Sequence, residues 1–269
     1  SNASFSVASG VARLEKLNVN TPNSHLIVDL SMRFPAGVSQ DSFNDIFIDA
    51  HVKESYIGME DMRSFVPNVS ASDSFALDEL IFSGTPNKFS LDSIRLSLSD
   101  SNFSGSFSLN NMKKTSNLVI DELIINPKDI LAFVPSLEQS QVDFLQHLGT
   151  SKMTGEMTRR SSNHRIDMAL YTSFGLLDVD VDFLREDSQL LPLYDGKIRG
   201  NQFDMGGLLK QNTLGVSDFS FVVKGRGLQL NQLDTELSGH FSSFSYHDII
   251  LDSISVNLDA KNNQIIGLV

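Results

Sequence analysis

A strict alternation of apolar and polar residues runs through most of this 269-residue chain. A period of two commits such segments to strands with one dry face and one wet face. Leu26, Val28, Leu30, Met32 and Phe34 fall on one side, with Asp29, Ser31 and Arg33 on the other. Ile46, Ile48, Ala50 and Val52 alternate with Asp45, Asp49, His51 and Lys53. The same rhythm returns in Ile94, Leu96 and Leu98, in Leu177, Val179, Val181 and Phe183, and in Ile254, Val256 and Leu258. One-sided burial of this kind belongs to antiparallel sheet. Turn signals at Asn87-Lys88, Asn110-Asn111, Asp195-Gly196 and Lys261-Asn262-Asn263 separate the runs.

Helices are few and short. Asn126-Pro127-Lys128-Asp129 sets a capping residue before proline and an acid in the first turn, and Pro135 ends that helix. Ser136-Leu137-Glu138-Gln139 fits a capping box for a second helix over about 137–148, stopped by Gly149.

A repeat organises the strands. Asp61-Met62-Arg63-Ser64-Phe65-Val66-Pro67 returns as Asp129-Ile130-Leu131-Ala132-Phe133-Val134-Pro135, and a looser copy spans Phe203-Asp204-Met205-Gly206-Gly207-Leu208-Leu209. Each copy follows a strand, so the unit is several antiparallel strands and one short helix that caps or crosses the sheet. Ser1-Asn2-Ala3 resembles a tag scar. The remaining 4–269 divides into units of roughly 4–70, 71–150, 151–212 and 213–269, a segment of a longer protein. Units that stack in one dimension make long surfaces rather than one unique catalytic constellation.

Composition and motifs exclude several function classes. With 33 acidic residues against 21 basic ones, a net charge of −12 argues against nucleic acid as a partner. No cysteine is present, which removes disulfides and thiolate chemistry. The six histidines never take the i, i+4 spacing of a helical zinc site. Asp178-Val179-Asp180-Val181-Asp182 starts like a calcium loop, but Phe183 stands where the turning glycine belongs. Lys224-Gly225-Arg226-Gly227 lacks the ending of a phosphate-binding loop. No catalytic residue, metal or cofactor is expected, and the chain reads as no enzyme.

The last third carries a further grammar. Asp218 to Leu228 leads through Lys224-Gly225-Arg226-Gly227 into Leu233 to Phe241, with Ser238-Gly239-His240-Phe241 at a turn. Tyr246-His247-Asp248-Ile249 follows, then a strand ending at Ile266-Gly267, with Ser253 where the grammar more often has glycine. This resembles the TamB/AsmA-like envelope proteins of Gram-negative cells, especially the long TamB-like proteins of Bacteroidetes-type bacteria. It is clearest over residues 196–269.

The resemblance implies a mainly β chain, a repeated antiparallel sheet curled into an elongated, taco-like groove with a few short capping helices. It implies a periplasmic location, anchored in the inner membrane by an N-terminal helix of the full-length protein. It implies phospholipid or other acyl chains as cargo, and outer-membrane barrel assembly proteins as partners. Val28, Leu30, Ile46, Ile48, Ile94, Leu96, Val179, Val181 and Val256 are then the groove-lining candidates. Read from alternation alone, they line either an open trough or a closed core. The competing reading is a β-sandwich adhesion or protein-binding module of the cell envelope.

Overall fold

The computed structural model describes residues 3–35, 44–62, 74–110, 115–133, 137–184, 191–227, 232–247, 249–261 and 264–268. The fold is mainly β and antiparallel, with a few short helices, and it divides into two compact units, Ser1–Gln146 and His147–Val269.

In the first unit eight strands follow one another as a meander. These are β1 (Ser4–Ala8), β2 (Val11–Asn20), β3 (His25–Arg33), β4 (Phe47–Gly58), β5 (Ser74–Thr85), β6 (Lys88–Leu98), β7 (Ser101–Asn110) and β8 (Thr115–Ile125). Each pairs antiparallel with the next. Helix α1 (Met59–Met62) continues directly from β4, and α2 (Pro127–Phe133) follows β8. Helix α3 (Gln139–Leu148) comes next in the chain.

The second unit repeats the plan with β9 (Ser151–Arg160), β10 (Asn163–Thr172), β11 (Gly175–Leu184) and β12 (Leu193–Asp204), then α4 (Met205–Leu209). After it come β13 (Leu214–Arg226), β14 (Asp234–Tyr246), β15 (Ile249–Leu251), β16 (Ile254–Lys261) and β17 (Gln264–Leu268). Strand β14 pairs with both β15 and β16, so these two are one strand interrupted at Asp252-Ser253. Among the described residues the architecture is therefore modular: four strands and a short helix after the fourth, three times over, then four strands more, with α3 standing in the chain between the second and third modules.

Residues opposite one another in an antiparallel ladder share a face, so the registers trace the apolar side across each sheet. In the first unit one row runs Phe5, Leu14, Leu30, Ala50, Phe82, Leu91, Phe107, Leu118 through all eight strands. In the second, Met157, Ile166, Val181, Gly196, Val223, Leu237, Leu258 and Gly267 do the same from β9 to β17. The reverse face carries cross-strand ion pairs, among them Arg33–Asp49 at 2.8 Å, Arg95–Glu79 at 3.0 Å and Lys224–Asp195 at 3.1 Å. Among the described residues only twelve apolar side chains are buried. The remaining described residues of the apolar side are mostly half-buried.

Bulges keep that apolar side continuous. Lys16 in β2, Glu54 in β4, Ser93 in β6 and Gln202 in β12 have φ of 55°, 46°, 51° and 46°, and at each the register slips by one residue. The extra residue restores the side-chain phase that the bulge interrupts and bends the strand. At two of these bulges the freed N–H donates to a carboxylate on a neighbouring strand. Lys16 N–H donates to Asp29 Oδ1 at 2.8 Å, and Gln202 N–H donates to Asp218 Oδ1 at 2.6 Å.

Three expectations need correction. Ser238-Gly239-His240-Phe241 is not at a turn; it lies inside β14, paired with β13 on one side and β16 on the other. Asp195-Gly196 is not a turn; it lies inside β12. A Cβ at Gly196 would stand 2.7 Å from Val181 Cγ2 on the neighbouring strand, so the glycine serves close strand packing rather than reversal. Helix α3 starts at Gln139, later than 137, because the cap is Glu138, whose N–H donates to Gln141 Oε1 at 3.0 Å. Ser136, like Phe65-Val66-Pro67 and Val134-Pro135 of the repeat, lies outside the described residues. The Asn126 cap stands: its Oδ1 accepts from Lys128 N–H at 3.0 Å.

Candidate functional site

The candidate site is the apolar face itself. Val28 and Leu30 on β3 face Val52 and Ala50 on β4, with Ile48 one step along opposite Met32, all on one side of the sheet. Ile94 sits opposite Gly105, which is opposite Ile120, and Leu96 belongs to the row Leu77, Leu96, Phe103, Leu123. The bulge at Ser93 brings Ile94 and Leu96 onto the same face as Leu91. Ile46 is buried just ahead of β4. In the second unit Val179 and Val256 share the row Met168, Val179, Ile198, Phe221, Gly239, Val256, and Val181 lies in the adjoining one. Of the nine, Ile46, Ile94, Val181 and Val256 are buried; the other five are half-buried. Six therefore lie in the first unit and three in the second.

Helices wall one end of this face, and the same construction does it three times. Each helix leaves its module's fourth strand and seats on the turn between the second and third. For α1 the seat is the turn 21–24. Asp61 accepts hydrogen bonds from the Thr21 and Ser24 hydroxyls, and Gly58 N–H donates to Ser24 Oγ at 3.0 Å. A Cβ at Gly58 would stand 2.6 Å from that of Asn23, so only glycine lets β4 approach the turn so closely. For α2, Asp129 accepts from Asp100 N–H at 3.2 Å, and Asn126 N–H donates to Ser101 Oγ at 2.9 Å. For α4, Asp204 N–H donates to Phe174 O at 2.6 Å, while its own Oδ1 caps the helix through Gly207 N–H at 2.8 Å. His147 completes that seat, its Nε2 2.6 Å from Gly207 O and its ring 5.0 Å from Phe174.

The carboxylates of Asp61 and Asp129 thus fasten their helices to turns, whereas Asp204 reaches its turn through its backbone N–H. The hydroxyls of Ser24 and then Thr21 hold the Asp61 carboxyl below its ordinary 3.8, since both donate to the ionised form. Asp29 and Asp234 are also lowered, the first chiefly by the Lys16 N–H and then Lys53, the second by Lys261 and Arg226.

Beneath α2 the apolar face opens into a cavity of about 430 Å³. Phe75, Leu96, Leu98, Phe103, Leu123 and Ile130 are among its lining residues. Volumes of this size accommodate drug-sized apolar ligands. The corresponding end of the second unit is filled by the molecule's own rings: Phe203, Phe219, Phe221 and Val256 form a buried cluster, joined by Phe174, Phe241, Met205 and Leu208.

The other sequence signals resolve into ordinary roles. Asp180 and Asp182 pair with Arg165 at 2.9 and 3.9 Å, and Arg226 pairs with Asp234 at 2.9 Å. Among the described residues no group of three His, Cys, Asp or Glu is placed to hold a metal, and no helix is long and apolar enough to cross a membrane.

Sequence reading missed the cavity and the role of Asp61 and Asp129. The Asp-x-x-x-Phe-Val-Pro repeat was the available signal for both. Comparisons with protein families, curated proteins and solved structures returned no match.

Proposed function

We propose that this chain is a non-catalytic scaffold segment of the Gram-negative envelope whose apolar faces hold phospholipid acyl chains, in the manner of TamB/AsmA-like proteins. One observation carries the reading: an apolar face continuous across the strands of each unit, most of it only half-buried among the described residues, with an apolar cavity of about 430 Å³ at the first unit's helix-walled end. Covering about 25 cal/mol of transfer free energy per Å² of such surface is a strong drive for apolar cargo.

The proposed setting is the periplasm, with the full-length protein anchored in the inner membrane. Outer-membrane barrel assembly proteins are the proposed partners. The sandwich alternative needs a filled core between two sheets, and twelve buried apolar side chains among the described residues favour the open trough over it.

Native purification followed by mass spectrometry of extracted lipid tests the proposal. Phospholipid should co-purify, and a photo-crosslinker at Leu96 or Val28 should capture acyl chains while one at Arg95, on the opposite face, should not. Equal capture from both faces, or none at either after incubation with phospholipid vesicles, would sink it.

A further inference from the structure

The fourth module has the strand order of the other three but, among the described residues, no helix. Strand β17 pairs with β16 as β8 pairs with β7 and β12 with β11, which makes it the module's fourth strand. The turn between second and third strands, which carries a helix in the first three modules, begins here at His247, after β14. Around it the apolar face is bare. Tyr246, Ile249 and Leu251 are 44%, 60% and 41% exposed.

The correspondence with the α2 seat holds residue by residue. Leu98 pairs with Ser101 and Leu96 with Phe103 across the β6–β7 turn; Tyr246 pairs with Ile249 and Phe244 with Leu251 across β14–β15. In the second module those four positions line the cavity that α2 borders with Ile130, and all four are half-buried. In the fourth, Phe244 rests on Phe241 at a ring separation of 4.8 Å, so the bare residues prolong the buried phenylalanine cluster. Ile250, opposite Ser245, falls on the other face.

We propose that Phe244, Tyr246, Ile249 and Leu251 form a docking seat for a short helix that carries a carboxylate at its N-cap or in its first turn. The occupant's chemistry is set by three precedents within the same chain. Each seated helix brings an aspartate at its start, Asp61, Asp129 or Asp204, and α2 and α4 bring apolar residues, Ile130, Met205 and Leu208, to the sheet. Apolar contact supplies the area, and the carboxylate or its backbone sets the helix over the turn.

The full chain with its own segment Asn126–Leu137 appended after Val269, through a flexible linker long enough to span the sheet, tests the proposal. Amide hydrogen exchange at Ile249–Leu251 should slow at least about tenfold, as a docked population above nine-tenths requires. The gain should shrink when the appended copy carries Asp129→Ala and vanish with Ile249→Asp in the seat. Ile250→Asp, on the reverse face, should leave it intact. Unchanged exchange, protection indifferent to Ile249→Asp and to the appended carboxylate, or equal loss with Ile250→Asp would each overturn the seat.

Discussion

The two units solve the same problem in opposite ways. Both present an apolar face walled at one end by helices, yet the second fills that end with its own rings and the first leaves it open. Around α4, Phe219 meets Phe203, Phe221 and Phe241 at ring separations of 6.0, 5.2 and 5.8 Å. Around α2 the equivalent surface is mostly leucine and isoleucine, and a cavity of about 430 Å³ remains. In the first unit the stacked aromatics, Phe82, Phe89 and Phe107, gather nearer the β5–β6 turn at the other end. Side-chain bulk, not strand pairing, decides which stretch of the face has room for a guest. The second unit's helix end is thus a structural core, and the first unit's is the better candidate for cargo.

Truncating each end should break or sharpen that contrast, and gives the largest effect. Phe221 is 9% exposed within the ring cluster, so Phe221→Ala should cost about 3 kcal/mol by urea unfolding, the low end for a buried ring. Leu96→Ala, beside a void its neighbours already tolerate, should cost about 1–2 kcal/mol. Equal losses would mean the cavity end is as tightly packed as the ring cluster. Filling should act in reverse: Leu96→Phe should change stability by less than about 1 kcal/mol and reduce phospholipid recovered with the protein several-fold. Undiminished lipid would place the cargo elsewhere on the face.

A smaller effect is expected where the backbone is strained. Ser253 interrupts the β15–β16 strand with φ of 60°, a left-handed conformation that costs a side-chain-bearing residue free energy. Ser253→Gly should raise stability by about 1 kcal/mol in thermal unfolding. A loss would show that Ser253 contributes contacts outweighing its strain.

Strand faces were legible in the sequence because alternation is a local property. All five alternating runs lie on strands with the expected sides, and Ile94, Leu96, Val181 and Val256 lie on the apolar face. The bulges were not legible. Lys16, Glu54, Ser93 and Gln202 adopt left-handed backbone where glycine or asparagine would have advertised it, and the N–H partners of Lys16 and Gln202, Asp29 and Asp218, lie on other strands. Asp195-Gly196 misled for the complementary reason, a turn-like pair retained for close packing against Val181. Neither does periodicity reveal whether an apolar face is filled: Leu96 and Phe221 alternate alike, and only the neighbouring strands show that one borders a cavity and the other a stack of rings.

The finest comparison is between the two aspartate fastenings in the first unit, which differ in their donors. Asp61 accepts from two side-chain hydroxyls, Ser24 and Thr21, whereas Asp129 accepts from a backbone N–H of Asp100. The folded Asp61 carboxyl lies below its ordinary 3.8. Folding therefore favours the ionised form, and its contribution is fully present above that ordinary value. It fades as pH falls through the lowered folded one, where the protonated acid no longer attracts both hydroxyls. Glu60, on the same helix turn, accepts from Asn23 Nδ2 at 3.1 Å and is the other charged group at this seat. Hydrogen exchange of Gly58, whose N–H bonds to Ser24 Oγ at 3.0 Å, reports on the seat directly. After correction for the intrinsic pH dependence of exchange, its protection should fall severalfold on acidification from pH 5 to about pH 3. Asp61→Asn should start from the lower protection and lose that pH dependence; Glu60→Gln should keep it. If Asp61→Asn retained the acid response, the Asp61 carboxylate would not be what holds this turn.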